Sequence, residues 1–552
     1  MRLSIFFLLS ILIFSCKNPK TENTISGKED VEDTIVTSND SIKDFREFKV
    51  LDSKYMNVSE LWQPFENDLK DFTEATYNDL KPLILEVDIP TLQKHISEGK
   101  LSYELLTKFY LYRIRKFDRE NTLSLNSVIS LNLNVISEAN HRDIEFLLYG
   151  KINHPINGMP ILLKDNINAS GMPTTAGAVA LQNNKTEDAF IVKQLKNQGA
   201  IILGKANLSE WAYFFCGDCP SGYSAIGGQT LNPYGRRIID TGGSSSGSGV
   251  AVAANFCVAA VGSETSGSIL SPSSQNSVVG LKPTIGLLSR SGIVPISSTL
   301  DTPGPMTKNV IDNAILLDAM FGFDEKDSKS ISTKWGKSFY YGSFSVIENL
   351  EHRRFGAFKR LLEDSLYDQA ISDLKSKGAI IIEVEEEKTD LPDFLRLLNL
   401  DVKTDLPIYL SNYAGNDVMI ESVQDVIDFN KKDSLNSMPY GQKLFEGIVA
   451  DNATDKAFQN IKNTLKTNGR SFYDKPMKKH NLDGFLSINN YHAGFAAVAE
   501  YPAITVPMGY TEKGVPKGLT FISKPLFEIG LLHWAYIYEQ VSKKRKMPEN
   551  YN

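Results

Sequence analysis

The sequence predicts an α/β layered fold in one large domain. Helical spacing over residues 188–198 is followed by Gly199 and then by the short apolar run Ala200–Leu203, an order typical of helix, stop and buried strand. The same order recurs over 367–384, with Gly378 between the two elements. The chain has 552 residues, 42% of them hydrophobic, which is enough for a large core. Such alternation indicates a sheet covered by helices.

The N-terminus predicts export. Met1-Arg2 precedes an apolar run over residues 3–14, and Ser15-Cys16 follows, which is the pattern of a secretory signal. The run is too short for a comfortable membrane span. The segment ending at Cys16 resembles the lipobox of bacterial lipoproteins, which implies a signal peptide over 1–15 and lipidation of Cys16. An uncleaved anchor and an ordinary signal peptide are the alternatives.

Residues 16–45 are polar and predict a disordered tether, because they cannot bury enough apolar surface to fold. We therefore expect a protein that is exported and bound to a bacterial membrane through its lipid alone, either in the periplasm or at the cell surface. Whether the protein is a monomer or an oligomer stays open.

The body of the protein, 46–545, reads as a single domain. Residues 46–150 have mostly helical spacing, and 325–480 form a charged, mostly helical excursion with few motifs. Apolar runs typical of strands resume at 484–488, 503–506 and 519–522. The excursion therefore interrupts the sheet signal without ending the domain.

Charge and motif content exclude several classes of function. A net charge of −7 without a basic stripe argues against nucleic-acid binding. The glycine-rich run lacks the Lys-Ser/Thr of a phosphate-binding loop, and no residue spacing indicates a metal site, so we expect no cofactor. Cys216 and Cys219 have redox-motif spacing, but they do not open a helix after a strand. A local disulfide or two free thiols is the favoured interpretation.

Three segments carry the candidate chemistry. Lys164 ends an apolar run, Ser244 lies in the run Gly242-Gly-Ser-Ser-Ser-Gly-Ser-Gly249, and Ser268 ends the run Gly262-Ser-Glu-Thr-Ser-Gly-Ser268. A serine needs a base to become a nucleophile at neutral pH, and no histidine lies in either serine-rich segment. A lysine can be that base if burial keeps it neutral, and Ser-Lys hydrolases are a known variant of serine catalysis.

These segments resemble the amidase signature family, in order, over roughly residues 85–545. The further matching segments are 278–289, 300–307, 501–509 and 514–520. The resemblance implies a large mixed β-sheet core flanked by helices on both faces.

The resemblance also assigns the site residues. It makes Ser268 the nucleophile, Ser244 a bridging serine after a cis peptide bond, and Lys164 the base. The backbone N–H groups of Thr265, Ser266, Gly267 and Ser268 are expected to form the oxyanion hole.

The predicted function is an exported amidase that cleaves a carboxamide C–N bond and releases ammonia or an amine. The segments 227–234 and 262–268 look most like the bacterial peptide amidase branch, which implies small amides or C-terminal peptide amides as substrates. Ile269 stands where members with charged substrates often have arginine, which favours a substrate end without a carboxylate. The alternatives are an esterase with the same triad and a surface lipoprotein that uses the fold for binding.

Overall fold

We describe a computed structural model of the chain, in which residues 48–119, 121–150, 152–332, 339–346 and 349–552 are described. The described residues belong to one compact unit, Arg46–Asn552. The predicted signal peptide, Cys16 and the tether lie outside them. Within the described ranges, no helix combines the length and the apolar character needed to cross a membrane.

Eleven strands of the described residues form one sheet, in the order β1-β3-β2-β6-β8-β7-β12-β13-β11-β9-β10, and β4 and β5 pair separately. The strands are β1 Val128–Leu131, β2 Pro160–Lys164, β3 Ile201–Ala206, β4 Tyr223–Ser224, β5 Gly228–Gln229, β6 Ala259–Glu264, β7 Val279–Lys282, β8 Thr302–Thr307, β9 Arg354–Phe358, β10 Ile380–Val384, β11 Gly484–Ile488, β12 Ala503–Tyr510 and β13 Pro516–Ile522. The sheet is mixed: β2 runs parallel to β3 and β6, whereas β8 is antiparallel to β6 and β7.

The α-helices of the described residues are α1 Val58–Trp62, α2 Glu66–Leu69, α3 Glu74–Ile84, α4 Ile89–Ser97, α5 Tyr103–Phe117, α6 Val135–Tyr149, α7 Phe190–Asn197, α8 Ser246–Ala253, α9 Leu270–Gln275, α10 Val310–Met320, α11 Ser365–Ser376, α12 Phe394–Tyr413, α13 Val423–Lys431, α14 Ser434–Ser437, α15 Lys443–Ala450, α16 Asp455–His480, α17 Ala493–Ala499 and α18 Glu528–Ser542.

The central strands are buried on both faces. Every residue of β2 and β6 is buried, and successive side chains of a strand point to opposite faces of the sheet. Both faces are therefore covered, as in other sheets whose parallel strands are enclosed by helices. This confirms the predicted α/β fold with a large mixed sheet.

Small residues let α8 approach the sheet closely. All eight residues of this helix are buried. A Cβ added at Gly247 would lie 2.4 Å from the carbonyl oxygen of Asn207 and 2.6 Å from that of Ser127. No larger residue fits at this position, so the glycine- and serine-rich run is a packed helix start preceded by a tight loop.

The range 325–480, predicted to be a mostly helical excursion, also contains strands, and α11 and β10 are the helix and strand predicted on either side of Gly378. β9 and β10 lie within that range and extend the main sheet at one edge, with α11 between them. The helices α12–α16 make up the rest. They bury a separate apolar cluster that includes Leu397, Val426 and Phe445. Trp211 and Phe215, which come earlier in the chain, belong to the same cluster.

Candidate active site

Lys164 lies at the end of β2, in the centre of the sheet, and its side chain is fully buried. Its Nζ donates to Ser244 Oγ at 2.8 Å, to Ser263 Oγ at 2.9 Å and to the carbonyl oxygen of Ser263 at 3.1 Å. Burial lowers the pKa of Lys164 to about 7, while the negative charges of Asp301 and Glu264 raise it and so limit the fall. The amine is therefore available in its neutral form near neutral pH.

Ser244 lies on the tight loop that enters α8. The Gly243–Ser244 peptide bond is cis, at the position that the resemblance implies. The carbonyl oxygen of Ser244 accepts the N–H of Ser209 at 3.0 Å. A Cβ at Gly243 would lie 2.6 Å from Ser209 Oγ, so a larger residue would displace this hydroxyl from the N–H of Gly222 that it accepts at 2.8 Å. The loop thus presents the Ser244 hydroxyl to Lys164.

Ser268 lies on the loop between β6 and α9 and is half-buried. Its carbonyl oxygen accepts the N–H of Ser245 at 3.2 Å. This bond joins the two serine-rich loops directly beside Ser244. Gly267 has φ +89°, in the left-handed region that favours glycine, and a Cβ there would lie 3.0 Å from Asn490 Nδ2. The loop therefore turns sharply just before the predicted nucleophile.

The four predicted oxyanion donors are free to bind a ligand. Among the described residues, the backbone N–H groups of Thr265, Ser266, Gly267 and Ser268 donate no hydrogen bond. The loop is held instead by other groups: the N–H of Ser271 donates to the carbonyl oxygen of Gly267 at 2.7 Å. Free N–H groups on a fixed loop are what an oxyanion hole needs.

Two carboxyl groups that were not predicted as site residues hold this loop. Glu264 Oε2 accepts the N–H groups of Ile269 at 2.7 Å and Leu270 at 2.9 Å, directly after Ser268. Asp301 Oδ1 accepts the hydroxyl of Thr265 at 2.5 Å. Both acids also raise the pKa of Lys164, so they link the loop to the base.

Two polar residues complete the surroundings of Lys164. Asn166 Nδ2 donates to Ser263 Oγ at 3.0 Å, and Ser263 in turn contacts Lys164. Sequence reasoning missed both roles. The available signal was positional: Asn166 lies two residues after Lys164, and Ser263 lies on the strand that pairs in parallel with the strand of Lys164.

The cysteine pair is a disulfide, Cys216–Cys219, one of the two interpretations left open by the sequence. Ala212, earlier in the same loop, lines a cavity together with Ser263. In the described part of the chain, no group of three or more His, Cys, Asp or Glu side chains is arranged to hold a metal ion.

Known proteins share this architecture. A family model described as Amidase matches residues 106–483. A probable amidase of Arabidopsis thaliana is 35% identical over 483 residues, which span 84% of this chain and 92% of that protein.

Two solved structures are also similar. An amidase family protein from Bacillus anthracis str. Ames has 37% sequence identity and a TM-score of 0.85, covering 90% of this chain and 100% of that one. The native peptide amidase from Stenotrophomonas maltophilia has 37% identity and a TM-score of 0.79, covering 84% and 99%. Fold and relatives together define an amide-hydrolysing enzyme. The chain belongs to the amidase signature family.

Proposed function

We propose that this protein is an exported, lipid-anchored amidase that cleaves carboxamides through Ser268, Ser244 and Lys164. One observation carries the proposal: a fully buried lysine with a pKa of about 7 donates to Ser244 Oγ at 2.8 Å. A lysine placed in this way loses solvation for no structural benefit that an apolar residue could not provide. A neutral amine beside a serine is, by contrast, an effective proton acceptor.

The reaction follows from this order of groups. Neutral Lys164 takes the proton of Ser244, and Ser244 takes the proton of Ser268 as its oxygen attacks the amide carbon. The N–H groups of 265–268 stabilise the oxyanion. As the C–N bond breaks, the proton returns through Ser244 to the leaving nitrogen, and ammonia or an amine departs. Water then attacks the acyl-enzyme with the same base, releasing the acid and restoring Ser268.

Small amides and C-terminal peptide amides are the proposed substrates. The similarity to a peptide amidase supports this choice. So does Ile269, which is buried directly after Ser268 and offers no guanidinium group to a substrate carboxylate. Export and anchoring rest on the signal-like N-terminus and Cys16.

The test measures ammonia release by the purified full-length protein from peptide amides, aryl amides and fatty amides, and acid release from the matching methyl esters in parallel. We expect hydrolysis of at least one amide class, and its loss in Ser268→Ala. A folded protein that cleaves only esters would establish the esterase alternative. A folded protein that cleaves nothing and is not labelled at Ser268 by a fluorophosphonate contradicts the proposal and favours a binding role.

A further inference from the structure

The C-terminal end of α6 exposes a group of large apolar side chains. Ile144 is 47% exposed, Leu147 83%, Leu148 69% and Tyr149 72%. Helix residues three and four apart are neighbours, so Ile144, Leu147 and Leu148 share one face and Tyr149 follows at its edge. Single exposed apolar side chains are ordinary, whereas a contiguous group of them marks an interaction site. We call these four residues the α6 patch.

The fold does not need the α6 patch to hold the helix in place. The opposite face of α6 buries Val135 and Ala139. Asp143 fixes the helix against the start of α5, because its carboxylate accepts the N–H groups of Tyr103 at 2.8 Å and Glu104 at 2.9 Å. The exposure of the patch shows that no described part of the chain covers it. Its apolar character is therefore available to a partner.

The charged residues of α6 beside the patch are paired with one another. Arg142 Nη1 lies 2.6 Å from Glu145 Oε2, and His141 Nε2 lies 3.3 Å from Glu145 Oε1. Moving an unpaired charge into an apolar phase is costly. Because the Glu145 carboxylate already has a cationic partner, the patch can enter such a phase without an uncompensated charge at its border.

The size of the patch argues against a second copy of the chain as its partner. A stable interface between proteins buries about 800 Å² on each side and uses about 20–30 residues of each partner. The α6 patch has four residues, and the helix around it is polar. A lipid bilayer sets no such requirement, because acyl chains fit any apolar shape and a shallow insertion of side chains is enough for binding.

The N-terminal segment keeps the body of the protein close to a bilayer. The polar tether 16–45 begins at Cys16, the predicted lipidation site. A flexible chain of about 30 residues spans roughly 30 Å on average. A patch of four side chains binds a membrane weakly by itself, but a tether of this length makes the contact effectively intramolecular and strengthens it.

We propose that the α6 patch inserts into the phospholipid bilayer to which Cys16 is anchored and so orients the enzyme on the membrane. The inference rests on the lipid anchor of the proposed function and adds a second membrane contact to it. Leu147 and Leu148 enter the region of the acyl chains. Tyr149 stays at the level of the headgroups, where the amphipathic side chain of tyrosine is favoured.

The experiment places a polarity-sensitive fluorophore in the patch. Leu148→Cys, made in the full-length lipidated protein, is labelled with nitrobenzoxadiazole and reconstituted into phosphatidylcholine vesicles. Among the described cysteines of the unmodified chain, none competes for the label, because Cys257 is buried and Cys216 and Cys219 form a disulfide. The thiol of Cys16 is occupied by the lipid.

The label at position 148 should shift its emission to shorter wavelength in the vesicles and be quenched when the acyl chains carry bromine. Leu435→Cys is the matched control. Leu435 is also exposed, and it lies beside Asn436, which accepts Lys54 Nζ near the start of the described chain. A label at 435 therefore tests whether nearness to the tether is enough for the signal, and it should stay unshifted and unquenched.

Two results would overturn the inference. One is equal emission and equal quenching of the labels at 148 and 435 in the vesicles. The other is a shift at 148 in the absence of lipid: if it grows with protein concentration, a second copy covers the patch, and if it does not, another segment of the chain covers it.

A second measurement keeps the inference separate from the anchor. Full-length Cys16→Ser, which cannot be lipidated, is assayed for binding to the same vesicles. Leu147→Ser in that background should weaken binding roughly 10-fold or more, because it removes a leucine from the apolar phase, whereas Leu435→Ser should not. If the unmodified protein is anchored but Leu147→Ser changes nothing, the anchor stands and the patch is wrong. If the unmodified protein carries no lipid but Leu147→Ser weakens binding, the anchor is wrong and the patch stands.

Discussion

At the scale of single residues, the decisive balance is the one that keeps Lys164 neutral. Complete burial disfavours the ammonium form, because a charge loses its hydration inside the protein. Glu264 and Asp301 act in the opposite direction and hold the pKa of Lys164 at about 7. Near physiological pH, Lys164 is therefore present in both its protonated and its neutral form, and a general base is most effective when its pKa lies near the working pH.

This balance predicts the pH dependence of activity. Below a pH of about 7 Lys164 is protonated and cannot accept the proton of Ser244, so kcat/KM should rise with pH through about 7 and then level off. Lys164→Ala should lower kcat by roughly 10²- to 10⁴-fold, the usual contribution of a general base. Lys193→Ala, at an exposed position of α7, is the control. A profile that is flat between pH 5 and 9 is incompatible with a lysine base.

Glu264 predicts a shift of that profile. Glu264→Gln keeps an acceptor for the N–H groups of Ile269 and Leu270 but removes a negative charge that raises the pKa of Lys164. The pKa of the lysine should fall, and the rise of kcat/KM should move to lower pH. The measurement is the pH dependence of kcat/KM for the unmodified enzyme and for Glu264→Gln with the same substrate.

The matched control for that experiment is Glu528→Gln. Glu528 is also fully buried and accepts the N–H of Thr284 at 2.7 Å, but it is not among the charges that shift Lys164. An unshifted profile in Glu264→Gln, together with lower stability in both variants, would reduce Glu264 to a purely structural role.

The residues of the site also show which contacts the sequence predicts and which it does not. Lys164, Ser244 and Ser268 were predicted because each lies in a recognisable segment. Ser263 was missed because its contact with the lysine depends on how β2 pairs with β6. Asn166 was missed because its bonds to Ser263 and to the carbonyl oxygen of Val294 depend on how distant segments pack. Strand register and loop packing arise from the whole fold, and no local pattern encodes them.

At the scale of elements, the site depends on the loop 211–219 and on the helices that cover it. Trp211, Ala212 and Tyr213 have φ of 50°, 54° and 75°, a run of left-handed residues without glycine that needs support from its surroundings. Phe445 of α15 provides such support: its ring centroid lies 5.2 Å from those of Trp211 and Phe215.

Phe445→Ala should therefore weaken both stability and substrate binding. Phe445 is 1% exposed, and removing a buried phenylalanine ring costs about 3–5 kcal/mol of unfolding free energy. Denaturant unfolding measures this loss. KM should rise as well, because Ala212 lines the cavity beside the triad. Leu435→Ala, at a side chain that is 81% exposed, should change neither quantity. A stable Phe445→Ala enzyme with unchanged KM would show that α15 does not support the loop.

Helices and strands were predictable where the local sequence pattern agrees with the packing of the whole fold. The helix and strand predicted on either side of Gly199 are present as α7 and β3. The helix and strand predicted on either side of Gly378 are likewise present, as α11 and β10. β9 was not predicted, because its place in the sheet depends on pairing with β10 and with the distant strand β11, which no local pattern encodes.

At the scale of the whole molecule, distant parts of the chain complete one sheet. β7, from the middle of the sequence, pairs with β12, near its C-terminus. The closing segments are thus structural partners of the strands that carry the site. This explains why the recognisable motifs span almost the whole domain, and why truncation of the C-terminal segments would open the centre of the sheet.

The remaining prediction concerns where the molecule is held. If Cys16 is lipidated, Cys16→Ser should shift the protein from the membrane fraction to the soluble fraction after expression in a bacterial host, because a polar tether cannot bind a bilayer without its acyl chains. Incorporation of labelled palmitate should be lost with it, while amide hydrolysis by the released protein stays unchanged, since Cys16 lies far along the sequence from the triad. Thr24→Ser, in the tether, is the control and should leave the protein in the membrane fraction. If the Cys16→Ser protein stays membrane-bound and still carries label, the N-terminus is an uncleaved anchor. If neither the unmodified protein nor the variant is labelled and both are soluble, the N-terminus is an ordinary signal peptide.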